Sequence, residues 1–203
     1  MLDRFLEGCE SSGAAFKSLK STALNIQPCS GCLRCNLIKR CSLRGDDWGN
    51  LSRDILDADI IAISSPVYFF NFPSKLKCII DRFRSFLHVR ITEKGLIHSP
   101  WVEWKKKFIV FLSMGSSDDN DGSGIVDAMK FIVKELGDGN ELYTFLGTRL
   151  AVRGQIEYGP DKLKELYTKL QIPLKLVDTD LNRNEKLLSQ IYSLGVELGG
   201  GRK

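Results

Sequence analysis

The sequence predicts an α/β fold, a doubly wound parallel sheet covered by helices on both faces. Three observations predict it. Residues 60–63 form a continuous apolar run, the pattern of a strand buried on both faces. Ser64, Ser65 and Pro66 break that run, and Pro73 and Ser74 then open a helical repeat at Leu76, Ile79, Ile80 and Phe83. The same order recurs downstream, where KKFIVFLSMGSS precedes a helical repeat at Ile125, Met129, Ile132, Val133 and Leu136. Strands alternating with helices mean βαβ units. In such sheets ligands bind beyond the carboxyl ends of the strands. That rule directs attention to SSPVYFFN and SMGSSDDNDGSG.

The remaining elements follow in order. Leu2, Phe5, Leu6 and Cys9 recur at helical spacing and Gly13 can stop that helix. AFKSLKSTALNI is a weak strand, because only Leu24 and Ile26 alternate. Asp46 and Asp47 suit a helix N-cap, and Trp48, Leu51 and Ile55 line one face of the helix they open. Gly137 stands where the C′ residue of the helix over 125–136 belongs. ELYTFLGT is a further strand, and helices are expected over 160–170 and 184–198. The tail GGGRK is expected to fray. Residues 1–203 read as a single domain, with 155–203 as a helical extension.

Composition bounds the function. A net charge of +4 suits an anionic small ligand and is too weak for nucleic acid. No apolar run approaches the ~20 residues of a membrane span. The opening MLDRFLEGCESSG has acids and no apolar segment, so it does not read as a secretory signal. A cytoplasmic location is expected, and there clustered cysteines read as metal ligands or redox groups rather than disulfides. Four of the six cysteines, Cys29, Cys32, Cys35 and Cys41, form C-x2-C-x2-C-x5-C.

IQPCSGCLRCNLIKRC, then DDW, then ADIIAISSPVYFFNFPSKLKCIIDRF resemble the flavodoxin-fold NAD(P)H-dependent FMN reductases, in their iron–sulfur flavoprotein branch. The resemblance covers roughly residues 1–150. It implies a flavodoxin-like sheet and bound FMN. Ser65, Pro66, Val67, Tyr68, Phe69 and Asn71 map to the loop that flanks the isoalloxazine ring. The residues agree, since Tyr68 and Phe69 offer flat apolar faces for stacking. Gly115, Ser116 and Ser117 are expected to close the other side of the ring. The alternative is an ordinary βα loop whose aromatics pack in the core.

One departure stands out. The family begins with a strand and a glycine-rich loop that holds the FMN phosphate at a helix N-terminus. Here Met1 aligns inside that first helix, so the chain lacks the central strand of a sheet ordered 2-1-3-4-5. This is read as a start codon placed too far downstream. The alternative is a relative that has lost FMN and acts as a binding protein. Taken as complete, the chain must pair strand 2 with strand 3 or borrow a strand from a partner.

In the cysteine array each two-residue spacer lets the chain turn back, so three thiolates reach three corners of one cluster and Cys41 completes the four that a [4Fe–4S] cluster needs. The resemblance puts the array on the same strand-end face as the flavin loops. Lys39 and Arg40 are expected to offset a cluster's negative charge. Zinc, or no metal at all, remain the alternatives. Cys9 and Cys78 read as core residues. SSDDNDGSG fails as a calcium loop, because Ala128 stands where an EF-hand needs Glu. His88 and His98 sit in no metal or nucleophile motif, and Lys105, Lys106 and Lys107 read as a solvated strand end. Phe86, Leu87, Trp101 and Trp104 form a subunit contact, shelter the flavin, or pack locally.

The resulting expectation is an FMN-dependent oxidoreductase that takes electrons from NAD(P)H or a reduced ferredoxin-type donor and passes them to an acceptor, through the cluster if one is present. FMN carries the chemistry, so no catalytic acid or base is named. Relatives imply a homodimer or homotetramer. The alternative is a non-enzymatic electron carrier.

Overall fold

Strand β4 (Lys107–Ser113) is central in the computed structural model, which describes residues 1–201. Phe108, Ile109, Val110, Phe111 and Leu112 are all fully buried, as a strand covered on both faces must be. It lies between β1 (Ile60–Pro66) and β5 (Glu141–Gly147), giving a three-stranded parallel sheet ordered β1-β4-β5. β1 is an edge strand, and its burial is correspondingly partial. The α/β class therefore holds.

Helices form where the apolar spacing placed them, α1 (Leu2–Ser11), α3 (Trp48–Asp57), α4 (Ser74–Arg82) and α5 (Ser123–Glu135), and α6 (Pro160–Lys169) matches its expected range, but α7 (Val177–Gly199) begins seven residues earlier than the 184 expected, taking in part of the expected connector. A four-residue α2 (Cys35–Ile38) interrupts the cysteine array. Gly137 follows α5 at φ +152°, a backbone that favours glycine. Arg202 and Lys203, from the tail expected to fray, lie outside the described residues.

The expected strand in 15–26 does not form; a 3-10 turn at Ser21–Ala23 stands there. The reason is visible in its hydrogen bonds. The Asn25 amide donates to Asp47 Oδ2 at 2.7 Å and the Gln27 amide to Asp46 Oδ2 at 3.0 Å. Carboxylates satisfy groups that a ladder would otherwise use. Residues 87–100 form a hairpin that the sequence reading missed, β2 (Leu87–Thr92) antiparallel to β3 (Gly95–Pro100). Its signal was present: β-branched Val89, Ile91 and Thr92 before a turn ending in Gly95 at φ +126°. Lys106 is not a solvated strand end. Its Nζ donates to the Leu56 carbonyl at 2.7 Å and to the Ala58 carbonyl, closing the C-terminal end of α3.

The chain divides into two units. The first is 1–17, 111–121 and 145–203; the second is 18–110 and 122–144. In the first, α7 packs on α1. The two backbones approach so closely that a Cβ on Gly8 would strike the Tyr192 carbonyl and one on Gly195 the Phe5 carbonyl. Buried Asp180 in α7 is held by Arg149, by Arg183 Nη1 at 2.9 Å and by the Tyr167 hydroxyl at 2.5 Å. Burial, then the bond to Asp180, pushes the Tyr167 hydroxyl up to about 12. In the second unit Trp48, Phe83, Phe86, Trp104 and Phe108 form one aromatic cluster, with Phe86 and Trp104 ring centroids 5.1 Å apart. Phe86, Leu87 and Trp104 thus pack locally.

The close approach of α1 and α7 yields a test. Helix propensity alone favours Gly195→Ala by about 1 kcal/mol. The clash with α1 reverses the sign, and urea unfolding is expected to show a net loss of about 1–3 kcal/mol.

Candidate functional site

Beyond the end of β1 the chain makes a tight turn. The Tyr68 amide donates to the Asn71 carbonyl and the Asn71 amide to the Tyr68 carbonyl, both at 3.0 Å. Between them Phe69 and Phe70 have φ of 49° and 61°. Positive φ at both central positions is a type I′ turn, whose usual residues are Asn and Gly. Two phenylalanines there hold strain of order 1–3 kcal/mol each. The Phe69 ring gains nothing from the chain in return, and the Phe70 ring is only partly covered. Phe69 is 100% exposed, Tyr68 59% and Phe70 57%. The floor of the turn is Gly124, where any Cβ would collide with the Phe70 carbonyl. Ser65 is buried and its hydroxyl donates to the Pro66 carbonyl at 2.7 Å. Asn71 folds its Oδ1 onto the Phe72 amide at 2.8 Å. The aromatics of this loop are therefore not packed in the core. Phe70 belongs with them and was missed, although it sits between two residues that the sequence reading named.

Gly115, Ser116 and Ser117 belong to the first unit. Gly115 is exposed and a Cβ there would meet open space. The Ser116 carbonyl accepts the Arg149 amide at 2.8 Å and its hydroxyl accepts the Asp118 amide at 3.1 Å.

The cysteine array forms one wall of a cavity. Cys29, Cys32, Cys35 and Cys41 line it together with Arg82 and Arg84. Gly31 and Leu33 take φ of 66° and 56°, so each two-residue spacer does turn the chain back. Among the described residues no three His, Cys, Asp or Glu side chains converge closely enough to hold a single metal ion. Four sulfurs on one zinc stand within about 4 Å of one another. The ligands of a cubane bond to four different irons and stand farther apart.

Both arginines were missed, because they come from the end of α4 and the turn after it, about forty to fifty positions along the chain. Arg84 Nη1 lies 3.6 Å from Cys35 Sγ and 2.9 Å from the Leu87 carbonyl, and Nη2 bonds Asn36 Oδ1 at 3.0 Å. Burial pushes the Cys35 thiol up, with the Arg84 charge opposing it. Arg82 pairs with Asp46 at 2.7 Å, and both side chains are buried. Burial works against the Asp46 charge. The Arg82 bond and the Gln27 and Trp48 amides outweigh it and hold the carboxyl below its ordinary range. Lys39, expected to offset a cluster's charge, instead stands over the Trp101 ring at 5.5 Å.

The turn and the cysteine cavity stand at different ends of α4. The strained turn precedes the N-terminal end of α4 and the cavity gathers residues at its C-terminal end. Nine residues of helix separate them, ~13 Å at 1.5 Å per residue. The remaining candidates are structural. His98 Nδ1 lies 3.3 Å from Glu135, His88 stacks edgewise on Trp101, and Cys9 is buried. Cys78 is only half-buried.

The residues match a family profile described as NADPH-dependent FMN reductase over 1–137. An iron-sulfur flavoprotein of Archaeoglobus fulgidus is 30% identical over 122 residues, 60% of this chain and 51% of that protein. One from Methanocaldococcus jannaschii is 37% identical over 78 residues, 38% of this chain and 37% of that protein. The chain thus spans about half the length, or less, of these curated relatives. Among solved structures, an NAD(P)H:quinone oxidoreductase from Methanothermobacter marburgensis superposes with TM-score 0.61 at 18% identity, covering 97% of this chain and 89% of that one. An FMN-dependent NADH-azoreductase from Bacillus anthracis gives 0.58 at 14%, covering 98% and 89%. At these identities the structures speak for the fold alone.

Cys32 provides a direct test. The Ser42 hydroxyl, 3.4 Å from its sulfur, lowers the exposed Cys32 thiol to about 7. Alkylation of the metal-free chain followed by peptide mass mapping is expected to give Cys32 a pH midpoint near 7. Ser42→Ala is expected to move that midpoint upward.

Proposed function

The chain belongs to the NADPH-dependent FMN reductase family, and from that premise we propose that it is a flavin-dependent oxidoreductase. Its electrons come from NAD(P)H or a reduced ferredoxin-type donor and leave to an acceptor. The observation that supports this best is the type I′ turn at the end of β1, with Phe69 and Phe70 held out on strained backbone. A planar ring laid on these side chains removes them from water. Full burial of one such ring is worth about 1.5–3 kcal/mol, comparable to the strain of one central turn residue. The strain is thus set before the ligand arrives, as preorganisation requires.

Ser65, Pro66, Val67, Tyr68, Phe69, Phe70 and Asn71 are the residues we assign to the isoalloxazine ring. Gly115, Ser116 and Ser117 are assigned on the resemblance alone. When bound, FMN supplies both one-electron and two-electron chemistry. The chain's own part is to orient the ring, cover its face and exclude water from it.

The four cysteines fit a [4Fe–4S] group. They line one cavity, their spacers turn back at Gly31 and Leu33, and two arginines stand in the wall. Cys29, Cys32, Cys35 and Cys41 are its proposed ligands, and one-electron exchange is the chemistry it would supply. Reduced thiols of this kind suit the cytoplasm. A homodimer or homotetramer is the assembly proposed from the family.

Anaerobic purification with assays for flavin, iron, sulfide and zinc tests the reading. Bound flavin with NAD(P)H oxidation supports it, and flavin without turnover points to an electron carrier. A chain that takes up no FMN from an excess overturns it. A second expectation isolates the turn. Phe69→Asn with Phe70→Gly supplies the residues that the turn prefers. The double variant is expected to unfold at higher temperature while its affinity for FMN, read by fluorescence quenching, falls at least about tenfold, or 1.4 kcal/mol.

A further inference from the structure

We propose that Arg82 is a donor to the anionic sulfur group of the cysteine cavity and sets its reduction potential, an inference that rests on the cluster reading above. Arg82 is 1% exposed and lines the cavity. Its Nη1 is fully employed, donating to the Gln27 carbonyl at 2.8 Å and to Asp46 Oδ2 at 2.7 Å. Nε and Nη2 are buried and have no hydrogen-bond partner among the described residues. The Trp48 ring stands 5.2 Å from the guanidinium carbon, but it covers a face of the group and does not accept its in-plane N–H bonds.

Leaving a buried donor unmade costs about 1–3 kcal/mol, and more when it is charged. A lysine could meet Asp46 with one point charge. An arginine carries additional N–H groups in a rigid fork, and here Nε and Nη2 have no partner among the described residues. The charge around them asks for an anion. The cavity wall holds the Arg82 and Arg84 cations, and the carboxylate among their hydrogen-bond partners is Asp46. Arg84 already reaches a sulfur, Cys35, at 3.6 Å. Arg82 is its unsatisfied counterpart. Donors aimed at the sulfurs of such a group stabilise its reduced, more negative form and raise its potential.

The test compares reconstituted wild type, Arg82→Lys and Asp46→Asn. Iron and acid-labile sulfide are counted per chain, and the midpoint potential is read by an EPR-monitored titration. Arg82→Lys keeps the charge and removes the fork. Its midpoint is expected to fall by about a tenfold change in the one-electron equilibrium, 59 mV. Asp46→Asn breaks the ion pair but leaves both donors, and its midpoint is expected at or above wild type. A loaded Arg82→Lys with the wild-type midpoint overturns the proposal and leaves the cluster reading standing. So does a fall in Asp46→Asn equal to that in Arg82→Lys, because Arg82 would then act only through the pair. Wild type that binds neither iron nor sulfide overturns the cluster reading, and this proposal with it.

Discussion

The buried ion pair between Arg82 and Asp46 is the constraint on which the second unit's site depends. A carboxylate and a guanidinium taken out of water are costly unless their remaining lone pairs and protons are met. Asp46 is met: it accepts Arg82, the Gln27 amide and the Trp48 amide. Through those bonds one carboxylate fixes the segment before the cysteine array, the start of α3 and the end of α4. The array is strung between two of these anchored points, and its cysteines line one cavity with the arginine whose charge balances Asp46. Among the described residues the pair's incompleteness is on the Arg82 side, and Arg82 lines the cysteine cavity.

The turn after β1 is governed by a different economy of forces. Most of the molecule places apolar rings inside, as the five-membered aromatic cluster around Phe86 and Trp104 does. The turn places them outside on a backbone that disfavours them. Gly124 makes this geometry attainable by leaving room for the Phe70 carbonyl. Exposure and strain at the same two residues point the same way, because folding of the chain alone rewards neither.

Much of this was legible. Continuous apolar runs located β1 and β4, and helical spacing located α1, α3, α4 and α5, since burial on one or two faces writes itself into period. The cysteine spacing announced a chain that doubles back, and Gly31 and Leu33 show how it does so. What was not legible depends on partners remote in sequence. The strand expected in 15–26 did not form, and Asn25 near its end gives its amide to Asp47 instead of to a ladder. Arg82 and Arg84 carried no local signal, because a guanidinium at a helix end reads as surface until the fold brings sulfur to it. The aromatic turn was marked as a site from Tyr68 and Phe69, yet its strain was invisible, since φ is not written in residue type when the residues are the wrong ones for the turn.

The two features are joined by α4, and the helix treats its ends unequally. Its aligned peptide dipoles leave a partial positive charge near Ser74, beside the turn, and a partial negative charge near Arg82, beside the cavity. An anionic sulfur group at the second end therefore meets an unfavourable field, worth about 0.3–1 kcal/mol for a single charge near the surface. Two arginines placed in the last turn and just beyond it reverse the sign, because a full charge at hydrogen-bond distance outweighs half a charge spread over a helix terminus. With Arg82 committed to Asp46 through Nη1 and Arg84 bonded to Leu87 and Asn36, the task falls to Arg82's remaining N–H groups and to the charge of Arg84, which faces no carboxylate in those bonds. The cavity's suitability for an anion is thus decided by how one guanidinium divides its donors, which is why a lysine in its place is not an equivalent residue.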